Sequence, residues 1–101
     1  MEKRTPHYSL TEIQAIVAER GALAFTRTAI INGHAIGLSV QEMKEVVCSM
    51  SKANFYKSMT TYHDHTLWQD VYHAVAPGSK IAYIKVSSPQ EGRPVIQFKE
   101  K

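Results

Sequence analysis

The hydrophobic period of this chain changes near residue 54. Before that point apolar residues recur every three to four positions, the spacing of an amphipathic helix. After it, stretches rich in Thr, Tyr, Phe and Val are typical of strands. Helices and strands present side chains with different periods, so one segment cannot satisfy both. The pattern therefore predicts an α+β fold in one domain over 1–101, with helices of a first half (about 9–50) packed on one face of an antiparallel sheet (about 54–101).

Three helices are expected in the first half. Capping boxes open the first and third at 9–12 and 39–42; in each, a serine oxygen and a glutamate carboxylate accept from each other's backbone N–H groups. Between them, Thr26 or Thr28 is expected to cap a second helix. Gly33 lies inside that helix and weakens it by about 1 kcal/mol relative to alanine.

Four strands are expected in the second half, because runs of strand-forming residues are separated there by turn signals. They are predicted over 54–62, 66–75, 80–87 and 95–99. The stretch 88–94 contains two prolines and a glycine, so it is expected to be a loop.

Alternation in the last two strands places polar side chains together on one open face. Tyr83 and Lys85 point away from the apolar side of the third strand, and Gln97 and Lys99 do so in the fourth. Lysines offer charge-assisted donors to a phosphate, and a tyrosine offers a hydroxyl and a stacking ring. The alternative is a solvated face that only keeps the domain soluble.

The first two strands do not divide in this way. Strict alternation puts Phe55 and Lys57 on one side and Tyr56 and Ser58 on the other, so apolar and polar residues are mixed on both. The second strand shows the same mixture. Alternation therefore cannot orient Lys57 or Gln69.

The charge of the chain is concentrated in the sheet half. Lys and Arg number 12 against nine Asp and Glu, and the whole surplus of three lies after residue 50. A basic surplus favours a polyanionic partner such as RNA.

The single cysteine, Cys48, excludes an internal disulfide and favours a reducing, cytoplasmic setting. It is interpreted as a packing residue of the third helix. The chain contains no run of about 20 apolar residues, so no membrane span is expected.

Other chemistries have weak signals. His63 and His65 form an H-x-H pair at the expected hairpin, but a third ligand is lacking, so no metal is expected. The chain contains the residue types of a catalytic triad in Ser58, His65 and Asp70. No nucleophile-elbow motif accompanies them, so this triad is not supported. A P-loop and a G-x-G-x-x-G motif are both absent, and no cofactor is expected.

Three blocks of the chain closely resemble the MqsR family of motility quorum-sensing regulator toxins: FYKSMTTY at 55–62, DHTLWQDVY at 64–72 and FKEK at 98–101. The start, MEKRTPH, resembles the family as well. The resemblance implies a RelE/YoeB-like fold and a metal-independent endoribonuclease that cuts single-stranded mRNA at GC-containing sites. It also implies neutralisation by an MqsA-like antitoxin, a zinc-containing DNA-binding protein through which the toxin meets operator DNA only indirectly.

The family's motif positions imply four catalytic residues in this chain: Lys57, Gln69, Tyr83 and Lys99. Three neighbours are expected to contact the substrate: Tyr56, Met59 and Lys85. Tyr83 and Lys99 are two of the residues that alternation places on the open face, so Lys57 and Gln69 are expected to face it too. The segments 73–82 and 87–95 depart from the family pattern, which leaves the preferred RNA site open.

The resemblance implies a site without a catalytic histidine. We hypothesise that Lys57 and Lys99 hold the scissile phosphate, that Tyr83 acts as acid or base, and that Gln69 positions the nucleotide. Crowding of the two lysines beside the tyrosine is expected to lower their pKa values. The alternatives are a non-catalytic RNA- or ribosome-binding module on the same face, and a purely structural partner protein.

Overall fold

The computed structural model describes residues 1–90 and 93–101, and it confirms the α+β fold. The helices are α1 (Leu10–Arg20), α2 (Arg27–Ala35) and α3 (Val40–Ser49), with 3-10 turns at Gly21–Ala24 and Lys52–Asn54. The strands are β1 (Glu2–Lys3), β2 (Phe55–Thr60), β3 (Trp68–Ala76), β4 (Lys80–Gln90) and β5 (Arg93–Glu100). All neighbours pair antiparallel, in chain order. No helix in the described ranges is long and apolar enough to cross a membrane.

The helix starts follow the predicted caps. Ser39 and Glu42 form both bonds of a capping box at α3, whereas at α1 the Ser9 oxygen accepts from the N–H of Glu12. Thr26, rather than Thr28, caps α2 by accepting from Ala29. These caps satisfy backbone N–H groups that a helix start otherwise leaves unpaired.

Gly33 is buried where α2 meets α3. A Cβ atom at this position would overlap the Sδ atom of Met43, which is itself fully buried. The glycine therefore permits the close approach of the two helices, and this contact offsets its cost to the helix.

The core lies between the helices and one face of the sheet. Val17 and Val47 from the helices pack with Tyr72, Ile84 and Phe98 from three strands, and all five are buried. The inward-facing side chains of β4 and β5 are the ones that alternation predicted. The interpretation of Cys48 as a packing residue is wrong: its side chain is exposed on α3, with its thiol donating to the Gln14 carbonyl at 3.6 Å.

The predicted loop at 88–94 is also wrong. β4 continues to Gln90 and β5 begins at Arg93, and these two residues pair. A register shift between Ser87 and Gln90 accommodates the proline-containing segment within the hairpin. Residues 91 and 92, which belong to the predicted loop, lie outside the described residues.

The sheet has one strand more than predicted, because the chain start pairs with β2. Glu2 and Lys3 form β1, opposite Met59 and Ser58. Two residues are too few to show any hydrophobic period, so the pattern could not reveal this strand. It lies at the edge of the sheet, next to the strand that carries Lys57.

Candidate active site

The sheet surface that carries Tyr83, Lys85, Gln97 and Lys99 is the open face. Tyr83 pairs directly with Lys99, and Lys85 pairs with Gln97, as alternation predicted. The Lys99 ammonium lies 5.2 Å from the centroid of the Tyr83 ring. Ala82, Ile84 and Val86 alternate with these residues and are buried in the core.

A bulge in β2 decides which side chains join this face. Phe55 pairs with Tyr72, but Lys57 pairs with Val71, so Tyr56 is an extra residue in the ladder. Phe55 therefore packs against the core while both Tyr56 and Lys57 lie on the open face. Strict alternation, which put Phe55 with Lys57, is wrong here because it assumes an uninterrupted ladder.

The pairing across β3 explains why polarity did not separate the two faces. Val71 lies between Lys57 and Lys85 on the open face, yet its neighbours bury it completely. On the core side, the buried Asp70 carboxylate accepts from the Ser58 hydroxyl at 2.7 Å. The open face of β3 therefore carries an apolar residue, Val71, and its core face carries a charged one, Asp70.

The structure places all four predicted catalytic residues on the open face but does not group them in one pocket. Tyr83 and Lys99 line a groove beside α2, together with Lys85. Gln69 lines a second concavity with Met59. Lys57 lies between the two along the sheet, in the same cross-strand row as Lys85.

Lys57 is held by the chain start. Its ammonium lies 2.7 Å from Oε1 of Glu2, and this hydrogen bond raises the pKa of Lys57 and lowers the pKa of Glu2. The expected lowering of the lysine pKa is therefore wrong for Lys57. β1, which supplies the carboxylate, was not predicted.

The other two lysines of the open face, Lys85 and Lys99, carry charge that no carboxylate of the described residues offsets. Burial lowers the pKa of Lys85, and the positive charges of Lys99 and Lys57 lower it further. Among the described residues, neither Lys85 nor Lys99 has an ion-pair partner. Like charges held this close favour the binding of an anion, which would relieve their repulsion.

His73 is a member of the site that sequence reasoning left out. Its ring stacks on Tyr56, with centroids 4.7 Å apart, and lies 5.3 Å from the ring of Tyr83 at a tilt of 39°. Burial, with a smaller effect from Lys101, lowers its pKa. Its Nε2 atom is buried and has no hydrogen-bond partner in the part of the chain that the structure describes. Alternation along β3 puts His73 on the same side as Gln69, so the side assigned to Gln69 indicates His73 as well.

Two concavities flank the row formed by Lys85 and Gln97. The groove beside α2 has a volume of about 380 Å³, and the one beside the β2–β3 connection has about 830 Å³. Lys85 and Gln97 line both. A ligand extended along the face would therefore meet two adjacent concavities. This arrangement suits successive units of a polymer.

Neither the hypothetical Ser58–His65–Asp70 triad nor the H-x-H pair forms a site among the described residues. Ser58 donates to Asp70 inside the protein, whereas His65 is exposed on the connection between β2 and β3. His63 is exposed on the same connection. Within 1–90 and 93–101, no three side chains of the metal-ligating types lie close enough to hold an ion.

Residues 5–100 match the sequence model of one protein family, described as the motility quorum-sensing regulator, the toxin of MqsA. The chain belongs to the MqsR toxin family. A relative from Escherichia coli (strain K12), the mRNA interferase toxin MqsR, is 41% identical over 101 residues, the whole length of both proteins. The family resemblance of the blocks at 55–62, 64–72 and 98–101 is thereby confirmed.

The geometry of this MqsR-family chain suits phosphoryl chemistry on a single-stranded nucleic acid. Lysine ammonium groups can hold a phosphate, and Tyr83, whose ring lies within 6 Å of the Lys85 and Lys99 ammonium groups, offers a hydroxyl on the same face. Tyr56 is 45% exposed and backed by the ring of His73, so one face of it is open to a base.

Proposed function

We propose that this chain is an endoribonuclease that cuts single-stranded mRNA without a metal ion. The observation that carries the proposal is that Lys57, Lys85 and Lys99 lie on one face beside tyrosine rings. Lys85 and Lys99 lie 5.8 and 5.2 Å from the Tyr83 ring centroid and have no ion-pair partner among the described residues, and Lys57 lies 5.4 Å from the Tyr56 ring centroid. The mRNA interferase name of the 41% identical relative supports the same activity.

The proposed reaction is transfer of the phosphoryl group to the neighbouring 2′-hydroxyl. The 2′-oxygen loses its proton and attacks phosphorus, and the bond to the 5′-oxygen breaks as that oxygen takes up a proton. The products are a 2′,3′-cyclic phosphate and a 5′-hydroxyl. Lys57 and Lys99 stabilise the charge of the phosphorane. Tyr83 transfers one of the two protons as acid or base, and solvent water exchanges the other.

Other residues of the face bind the RNA in this proposal. Gln69 positions the nucleotide from the larger concavity, where Met59 lies beside it. Tyr56 stacks on a base, and Lys85 contacts the phosphate. Glu2 competes with the phosphate for Lys57, so the ion pair opens when RNA binds.

We also propose that an MqsA-like antitoxin, zinc-containing and DNA-binding, neutralises this toxin. The family description, which pairs the toxin with MqsA, supports this partner. Operator DNA is then reached only through the antitoxin, and the mRNA substrate places the toxin in the cytoplasm. Cleavage at GC-containing sites is the expected preference.

Cleavage of a labelled RNA oligomer in the presence of EDTA tests the activity. We expect Lys57→Ala, Lys99→Ala and Tyr83→Phe each to slow cleavage by at least about a hundredfold, the loss typical of a group that acts in the transition state. Lys44→Ala, on α3 away from the open face, is the matched control and should cut like the wild type. Wild-type rates in both Lys57→Ala and Lys99→Ala would refute the proposal.

The chemistry of the RNA ends separates this function from simple binding. A cyclic phosphate on the upstream fragment supports the proposed reaction. A non-catalytic RNA- or ribosome-binding module would retard the oligomer on a gel without producing new ends. That result would contradict the assignment as an enzyme.

A further inference from the structure

The connection between β2 and β3 presents an aromatic ring that the proposed chemistry does not use. Tyr62 is 88% exposed there, and it lines the larger concavity together with Gln69 and Lys85. A single exposed apolar side chain needs no explanation by itself. This ring, however, borders the surface of the proposed substrate, beside the glutamine that is proposed to position a nucleotide. Its place rather than its exposure therefore points to a ligand.

Hydrogen bonds inside the connection fix the backbone on both sides of Tyr62. The Thr61 hydroxyl donates to the carbonyl of Asp64 at 2.6 Å and accepts from the N–H of Asp64 at 3.0 Å. The Asp64 carboxylate accepts in turn from the N–H of Thr66 at 2.9 Å. The rings of Tyr62 and His63 meet at 88°, with centroids 5.4 Å apart. A ring held in this way gives up little conformational entropy when a ligand binds.

Two exposed tyrosines bracket the basic part of the open face. Tyr56 lies at the start of β2, and Tyr62 follows it by six positions, just after the strand ends. At about 3.3 Å per residue, the two lie at most about 20 Å apart along the strand. A nucleic-acid strand advances by about 3.4 Å per stacked nucleotide and by more when extended, so about six nucleotides or fewer span both rings. Lys85 lines both concavities and can meet a phosphate of that segment.

We propose that Tyr62 stacks on one base of the RNA while Tyr56 stacks on another, so that the protein binds a single-stranded segment of several nucleotides across the open face. This inference rests on the proposed function and adds a second stacking subsite to it. Stacking does not distinguish the bases, because each of them has a π-face. The subsite therefore sets the length of RNA that is bound and not its sequence. It also disfavours duplex RNA, whose bases are already stacked on one another.

Binding of 2′-O-methyl RNA, followed by fluorescence anisotropy, measures the subsite apart from cleavage, because a methylated 2′-oxygen cannot attack phosphorus. We expect Tyr62→Ala to raise Kd by about tenfold, which corresponds to about 1.4 kcal/mol and is typical of one base stacked on an aromatic ring. Tyr62→Phe keeps the ring and should raise Kd by less than about twofold. Leu23→Ala is the matched control: it removes a side chain that is 76% exposed and lines neither concavity, and Kd should not change.

The length of the RNA gives a second measure of the same subsite. One oligomer is shortened stepwise from its 5′ end and, in a second series, from its 3′ end, over about 16 to about four nucleotides, the range of single-strand binding sites. In one of the two series, the wild type should lose about tenfold in affinity at the step that removes the base on Tyr62. Tyr62→Ala should lack this step. Equal Kd values for the wild type and Tyr62→Ala at every length overturn the inference.

These outcomes are distinct from those that decide the proposed function. Weaker binding by Tyr62→Ala together with wild-type binding by Leu23→Ala supports the subsite even if no RNA is cut. An equal loss in Tyr62→Ala and Tyr62→Phe overturns it, because the ring would then not be the group that binds. In either case, the cleavage assay with Lys57→Ala and Lys99→Ala decides the function.

Discussion

Replacing Asp70 tests how the site is supported from behind. Its side chain is 1% exposed, and three donors converge on its carboxylate. The N–H groups of His7 and Tyr8 donate to it at 2.9 to 3.0 Å, and the Ser58 hydroxyl donates at 2.7 Å. The carboxylate thus ties the segment before α1 to β2 and β3. We expect Asp70→Ala and Asp70→Asn to lower the free energy of unfolding.

The magnitude follows from the donors that lose their acceptor. Each hydrogen bond to a charged group contributes about 1.5–3 kcal/mol, although bonds of one network do not add fully. His7 and Tyr8 can reach water if the chain start detaches, which limits the loss. We therefore expect Asp70→Ala to lower the free energy of unfolding by about 3–5 kcal/mol. Asp70→Asn keeps one oxygen and is expected to lose about 1–2 kcal/mol, or about 5–15 °C in Tm for a domain of this size.

The site should respond as well, because the two strand residues of the network each directly follow a proposed catalytic residue. Ser58 follows Lys57 in β2, and Asp70 follows Gln69 in β3. A shift of about 1 Å at a catalytic group can slow a reaction by about a hundredfold. RNA cleavage by Asp70→Asn is therefore expected to fall at temperatures where the variant is still fully folded.

Urea denaturation and the cleavage assay measure the two effects. Glu19→Gln changes an exposed carboxylate on α1 and should alter stability by less than about 0.5 kcal/mol. Ser58→Ala, alone and combined with Asp70→Asn, closes a double-mutant cycle with an expected coupling of about 1 kcal/mol. Wild-type stability in Asp70→Asn, or strictly additive effects in the double variant, would refute the reasoning.

Three further predictions concern other contacts. Gly33→Ala should lower the free energy of unfolding by about 1–3 kcal/mol because its Cβ overlaps Met43, and Met43→Ala should cost less in that background than alone; equal costs in urea denaturation would contradict this. Glu2→Gln should free Lys57 and strengthen RNA binding up to about fivefold, more than Glu19→Gln does, as measured by fluorescence anisotropy. Since burial lowers the pKa of His73 below its usual 6.5, the unfolded chain binds that proton more readily, and stability should rise with pH between the folded pKa and about 6.5. His73→Phe should remove this rise, and an unchanged dependence between pH 5 and 7.5 would argue against it.

Elements whose causes are local could be predicted from the amino-acid sequence. Ser39 and Glu42 are three residues apart, which is all that a capping box needs, and the box formed. The strands β4 and β5 alternate without interruption over Tyr83 and Lys99, so their open face could be identified from period two alone. The blocks that carry the family resemblance are likewise contiguous, and they placed the chain among the MqsR toxins.

Features that depend on residues distant in the chain could be recognised only in the folded protein. The bulge at Tyr56 reverses the side assignment at the start of β2, because one extra residue in a ladder turns its neighbours to the other face. Glu2 meets Lys57 across 55 positions, and Asp70 collects donors from the chain start 62 and 63 positions away. Such contacts form when long loops close, and they leave no period or motif in the sequence. The basic face was therefore predictable, but the carboxylates that restrain and support it were not.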